Sequence, residues 1–110
     1  MTLAAHPKVN SELFNVLSTR MKVLFYIGLM EKCSLSELRE ATKASWTTIN
    51  KIIPELYRDG FIEITEVKTT RGSIKKVVKL SRKGSAVFNK LLELNDLLNS
   101  LDNEQSSNTG

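Results

Sequence analysis

The strongest constraint on this chain is a change of hydrophobic period at Gly60. Before it, Ile49, Ile52, Ile53 and Leu56 recur at helical spacing behind Ser45, whose hydroxyl suits the unpaired first N–H groups of a helix. After it, residues 61–68 and 74–80 are β-branched and partly alternating, the pattern of strands. Between these runs, Thr69-Thr70-Arg71-Gly72-Ser73 is a hairpin connection with its glycine near the tip. A helix over 45–59 that Gly60 ends, followed at once by a hairpin, leaves few ways to enclose a core.

The flanks complete the order of elements. Ser34-Leu35-Ser36-Glu37 has capping-box spacing, so a short helix is expected to about Ala41, with a tight turn over 42–44. Upstream, Ser11 is placed to cap a helix carrying Leu13, Phe14, Val16 and Leu17, and the pattern resumes at Met21, Val23, Leu24, Ile27 and Leu29. Residues 11–30 are therefore one long helix or two abutting ones broken near Ser18-Thr19, with Gly28 a mild liability inside. A short strand fits around Cys33. Ser81 caps a last helix over 81–101. Residues 1–10 are expected to be a flexible arm and 102–110, polar and aperiodic, a disordered tail.

Composition excludes several classes of function. The 110 residues make one domain, and 41% apolar with 25% charged residues is ordinary globular usage. No apolar run approaches the roughly 20 residues that cross a bilayer, and no secretory layout opens the chain, so a cytoplasmic or nucleoid-associated protein is expected. The lone Cys33 allows no internal disulfide and is expected as a small buried residue rather than an oxidant sensor. His6 is the only histidine and lies in the arm, so neither histidine-based catalysis nor a metal site is expected, and no Gly-rich phosphate loop is present. No enzyme activity and no cofactor follow from these residues. The net charge of +4 is unevenly placed: residues 43–83 hold ten Lys/Arg against four Asp/Glu, whereas residues 84–110 hold one against four. Such clustering is the footprint of a polyanion-binding surface, or else of a solvated basic face without a partner.

Two short helices and a tight turn followed by a basic hairpin make a helix-turn-helix with a wing. The stretch from Arg20 to Leu92 resembles the winged-helix transcription regulators of the MarR, ArsR and PadR kind. It does so through Arg20-Met21-Lys22-Val23-Leu24, Ser34-Leu35-Ser36-Glu37-Leu38, Ser45-Trp46-Thr47-Thr48-Ile49-Asn50-Lys51, Leu56-Tyr57-Arg58-Asp59-Gly60-Phe61-Ile62 and Leu80-Ser81-Arg82-Lys83-Gly84. The resemblance implies an α+β, mainly α fold: a winged helix-turn-helix over 11–80, with three helices and a two-stranded wing, and a long C-terminal dimerisation helix over 81–101. It also implies double-stranded DNA as the partner, with Ser45, Trp46, Thr47, Thr48, Asn50 and Lys51 on the recognition helix. Lys68, Thr70, Arg71, Gly72, Ser73, Lys75 and Lys76 belong to the wing.

Chemistry supports these roles unequally. Asn50 can pair bidentately with adenine, the Thr47 methyl can touch a thymine methyl, and Lys51 suits guanine or phosphate. Thr48 is open between groove contact and helix packing, and Trp46 between the groove and the core. Pro54 deletes a helical hydrogen bond, so a kink or an early end is expected beyond the reading half. Arg71 at a hairpin tip suits a narrow minor groove, and the wing lysines suit phosphate, although charged strands also deter aggregation. Lys79 is open between those two roles. Arg20 and Lys22 are open between phosphate contact and plain surface charge.

Val87, Leu91, Leu94, Leu98 and Leu101 follow the spacing of a coiled-coil seam, with Phe88 and Leu92 beside it. A homodimer is expected on this helix, joined by Leu13, Phe14 and Leu17 of the first, against a monomer whose last helix folds back on its own core. Three functions fit: a dimeric sequence-specific regulator, most simply a repressor; a DNA-organising or segregation adaptor that coats or bridges DNA; and a winged helix used for protein contact only. No separate ligand domain is visible, so an unknown small-molecule effector would have to sit between helices or at the dimer seam.

Overall fold

The computed structural model describes residues 8–109. The elements are α1 (Ser11–Val16), α2 (Thr19–Met30), β1 (Lys32–Ser34), α3 (Leu35–Thr42), α4 (Trp46–Arg58), β2 (Ile62–Lys68), β3 (Ile74–Leu80) and α5 (Arg82–Thr109). The helical region before Met30 is two helices. Leu17 turns extended, and the Ser18 hydroxyl accepts from the Met21 N–H to start α2.

The sheet order is β1-β3-β2, all antiparallel, with Cys33 opposite Val78 and Val78 opposite Ile64. That row faces the helices. Val23, Leu24, Phe25 and Ile27 of α2 form the centre of the core, closed by Leu38, by Ile49, Ile52, Ile53 and Leu56 of α4, and by Ile62, Val78 and Leu91. Burial pushes the Cys33 thiol up to about 11, helped by the nearby Glu37 charge. It is the buried small residue expected, with almost no thiolate near neutrality. Gly28 is no liability, because a Cβ there would collide with the Phe88 ring packed across it from α5.

Two expectations about the ends need correction. Residues 1–7 of the expected arm lie outside the described residues, but Lys8 to Asn10 are tied down. The cap of α1 is Asn10, one residue before Ser11, and its Oδ1 accepts from the Leu13 N–H at 2.9 Å. The Asn10 Nδ2 donates to Asn99 Oδ1 (2.8 Å) and Asp102 Oδ2 (3.0 Å), and its backbone N–H donates to Asn95 Oδ1 (2.7 Å). Asn95 and Asn99 in turn donate to the Lys8 carbonyl at 2.8 and 2.9 Å. Asn95 is fully buried, which is tolerable only because both ends of its amide are bonded. Nor is 102–109 a disordered tail: α5 runs on from Leu101 to Thr109, since no proline or glycine intervenes to stop it and Asp102 is held by Asn10.

The capping box of α3 is complete. Ser34 Oγ accepts from the Glu37 N–H at 3.1 Å, and Glu37 Oε1 accepts from the Ser34 N–H at 2.8 Å. The bond from the Ser34 backbone, then that from its hydroxyl, holds the Glu37 carboxyl below its ordinary 4.5, aided by Lys75. A lowered folded value means stability that is present above 4.5 and lost as pH falls through the folded value. The melting-temperature advantage of the wild type over Glu37→Gln is therefore expected near neutrality and should close in acid. A gap independent of pH would show that the box does not use the ionised carboxylate.

Candidate nucleic-acid interface

Helix α4 is built by a local rule and aimed by the core. Ser45 Oγ accepts from the Thr48 N–H at 3.1 Å, and Ile49, Ile52, Ile53 and Leu56 fasten one face inward. Thr47, Asn50 and Lys51 are then exposed on the opposite face, three and four residues apart. Thr48 is half-buried, with its hydroxyl 3.1 Å from that of Ser45, so both hydroxyls serve the helix start. Pro54 does not end the helix. It lies on the exposed side, and α4 continues four residues further, to Arg58.

Trp46 stays out of the core, 42% exposed at the first position of α4. The Arg39 guanidinium of α3 lies 5.3 Å from its ring centroid, a cation–π contact across the helix-turn-helix. No sequence signal marks this pairing, because it joins two helices rather than neighbours on one.

The wing is a strand pair closed by a tight loop. The Gly72 N–H donates to the Thr69 carbonyl at 2.9 Å, and the Thr69 N–H to the Ser73 carbonyl at 2.8 Å. Gly72 has φ +87°, where a side chain is strained, and nothing else crowds it. The Ser73 hydroxyl lies 2.9 Å from that of Thr69, so it helps to close the loop. Lys68, Thr70, Arg71, Lys75 and Lys76 are all exposed. Among the described residues, none of Lys51, Lys68, Arg71 and Lys76 has an ion-pair partner, while Lys79 is held by Glu63 at 3.6 Å. Lys79 thus has a role within the sheet.

Beside the exposed face of α4, a cleft of about 780 Å³ opens between the start of α2 and α4, lined by Arg20, Met21, Thr47, Lys51, Glu55 and Phe61 among others. Arg20 faces Glu55 across it at 3.0 Å, close enough for charge attraction although not aligned as a hydrogen bond. Lys22 turns instead toward α1, where its ammonium lies 5.3 Å from the Phe14 ring centroid.

The expected dimer residues divide in two. Leu13 and Leu91 are buried within the protomer; Phe14, Leu17, Val87 and Phe88 pack partly buried against the same core. Phe14 sits edge-on to Tyr26 with centroids 5.3 Å apart, and Phe25 and Phe88 are 5.5 Å apart. These six belong to this chain's own interior, because α5 lies along α1 and α2 and covers them. Leu94 and Leu101 are exposed, Leu98 is half-buried, and Leu97, not singled out by the heptad spacing, is the most exposed of the group. On helical geometry, Leu94, Leu97 and Leu101 make one stripe about a third of a turn from the Asn95-Asn99-Asp102 face that binds Lys8 and Asn10.

The fold is the winged helix-turn-helix. It is shared with solved regulators at low sequence identity. A mutant of E. coli MarR complexed with operator DNA matches at TM-score 0.61 and 20% identity, over 77% of this chain and 61% of that one. A mutant of Lactococcus lactis ZitR in apo form matches at TM-score 0.72 and 16% identity, over 89% of this chain and 72% of that one. The M. tuberculosis transcriptional regulator MosR in complex with DNA matches at TM-score 0.57 and 25% identity, over 73% of this chain and 56% of that one. The matched region thus spans about three-fifths of the MarR and MosR chains. No protein-family model and no curated protein sequence matches. No described helix is long and apolar enough to cross a membrane.

Proposed function

We propose that this chain is a dimeric double-stranded-DNA-binding protein that regulates transcription as a repressor. The observation that carries the reading is the common exposure of Thr47, Asn50 and Lys51 beside a wing whose Lys68, Arg71 and Lys76 have no acid partner among the described residues. Cations left without intramolecular partners are costly to gather unless a polyanion meets them, and the major groove is wide enough for α4 with its side chains. In this reading α4 lies in the major groove and the wing reaches the minor groove or the adjacent phosphates. The paired α5 stripes set the distance between two half-sites.

The test is a fluorescence-anisotropy titration with duplexes selected from a random library, against unselected duplex at physiological salt. Asn50→Ala is expected to relax preference at one base position by about 1–3 kcal/mol. Arg71→Ala should instead weaken every duplex alike and lower the log–log salt slope by about one for each protomer bound. Equal affinity for selected and unselected DNA would sink the regulator and favour the DNA-organising role. Wild-type levels of binding by both variants would leave only protein contact for this surface.

A further inference from the structure

Arg39 is a partly buried cation that this protomer leaves without an anion. Its Nε is buried and has no hydrogen-bond partner. None of the ion pairs of the described residues includes it, and no terminal N–H of it bonds a neighbour. Three and four positions from Arg39 stand Leu35, Ser36 and Thr42 of α3 and Lys43 just past its end, so the helix offers no acid at the spacings where one would meet it. It offers instead a second cation. Lys43, exposed and at φ 58°, is the left-handed residue that ends α3, four positions further along the chain.

An arginine with no acid partner normally extends its head into water, where all five donors are solvated. Arg39 does not. It folds over the half-exposed indole of Trp46, which hides Nε and leaves the two terminal NH₂ groups as its outward donors. The indole in turn stands at the first residue of α4, one position from Thr47. The arrangement places a guanidinium beside Thr47 before any ligand arrives.

We propose that Arg39, stacked on Trp46, is a preformed seat for a backbone phosphodiester of duplex DNA. The inference rests on the DNA-binding reading above and adds to it a contact from α3. Arginine suits the role because its planar head can stack on the indole and still present paired donors to phosphate oxygens. Such a contact positions α4 in the groove and carries no sequence information of its own.

The test uses the full chain and labelled duplexes across a salt series, with Trp46, the only tryptophan, as an intrinsic reporter. Arg39→Met keeps the packed stem and removes the charge. It is expected to weaken selected and unselected duplexes by the same factor, roughly tenfold per protomer, and to lower the log–log salt slope by about 0.9 for each protomer bound. Arg39→Lys, which keeps the charge and cannot stack as a plane, should hold the slope while losing part of the affinity. Wild-type indole emission should change on saturation with duplex, and that change should shrink in Arg39→Met. Wild-type affinity and slope in Arg39→Met overturn the seat, as does lost affinity with an unchanged slope, which would make Arg39 a packing residue. Failure of the wild type to bind any duplex is a different outcome, since it overturns the DNA reading itself.

Discussion

Gly84→Ala is expected to destabilise the protein by about 3 kcal/mol, at the upper end for overpacking of a closed site. A Cβ at Gly84 would fall on the Phe61 carbonyl oxygen, with Leu80 Cδ2 at 3.3 Å behind it. That carbonyl is fixed, because it accepts the Ser81 N–H at 3.0 Å while the Phe61 N–H donates to Leu56 at 2.9 Å. Ser81 is fixed too: its hydroxyl donates to the Gly60 carbonyl at 2.6 Å and accepts from the Gly84 N–H at 3.1 Å. The obstacle is therefore backbone, with no rotamer to turn aside. Better helix propensity would return only about 1 kcal/mol. For a domain of this size the melting temperature should fall by roughly 10 °C or more. A loss under about 0.5 kcal/mol in urea unfolding, the ordinary range of a neutral substitution, would show that the corner relaxes. The same corner joins the end of α4 to the start of α5, so any folded fraction should also bind DNA poorly.

The second large effect is expected at the leucine stripe. Replacing Leu94, Leu97 and Leu101 together by lysine should leave a folded protomer, because all three are exposed and none belongs to the core. Far-ultraviolet circular dichroism should therefore be retained. The mass by light scattering should fall from that of a dimer to that of a monomer. Affinity for a two-half-site duplex should drop by roughly 10²–10⁴-fold, the gain that linking two binding modules confers. Affinity for a single half-site should change little. A wild type that is already monomeric at micromolar concentration refutes the seam. So does a triple variant that still binds both half-sites as the wild type does.

Much of the winged helix is legible because its signals are local. The capping box at Ser34 and Glu37, the cap at Ser45 and the period switch at Gly60 each depend on residues within a few positions of one another. The short strand at Cys33 is visible only as a place where strand fits, since its pairing with Val78 needs a partner far along the chain. Asn10, Asn95, Asn99 and Asp102 look like ordinary polar residues in the sequence. They become a partly buried network because α5 passes the start of α1, and that passage ties down Lys8 to Asn10 and the helix around Asp102 where the sequence reads as loose ends. Pro54 reads as a disturbance of α4, but its ring faces solvent and the helix continues past it.

The candidate interface divides along the same line. Charge clustering and the pattern of α4 are sufficient to single out Thr47, Asn50, Lys51 and Arg71, because exposure on an amphipathic helix or a hairpin tip follows from periodicity. Which hydrophobic residues remain for a partner does not follow from it. A heptad records that an apolar stripe exists, and only the packing of α5 against α1 and α2 decides that Leu91 is covered and Leu97 is not. The same holds for Trp46, whose place depends on Arg39 in another helix. The sequence by itself determined helix α4, the basic wing and the turn at Gly60 between them, since caps and periods act within a few residues. Tertiary structure alone decided what supports that pair and what stays free beside it, since burial is settled by contacts between distant segments.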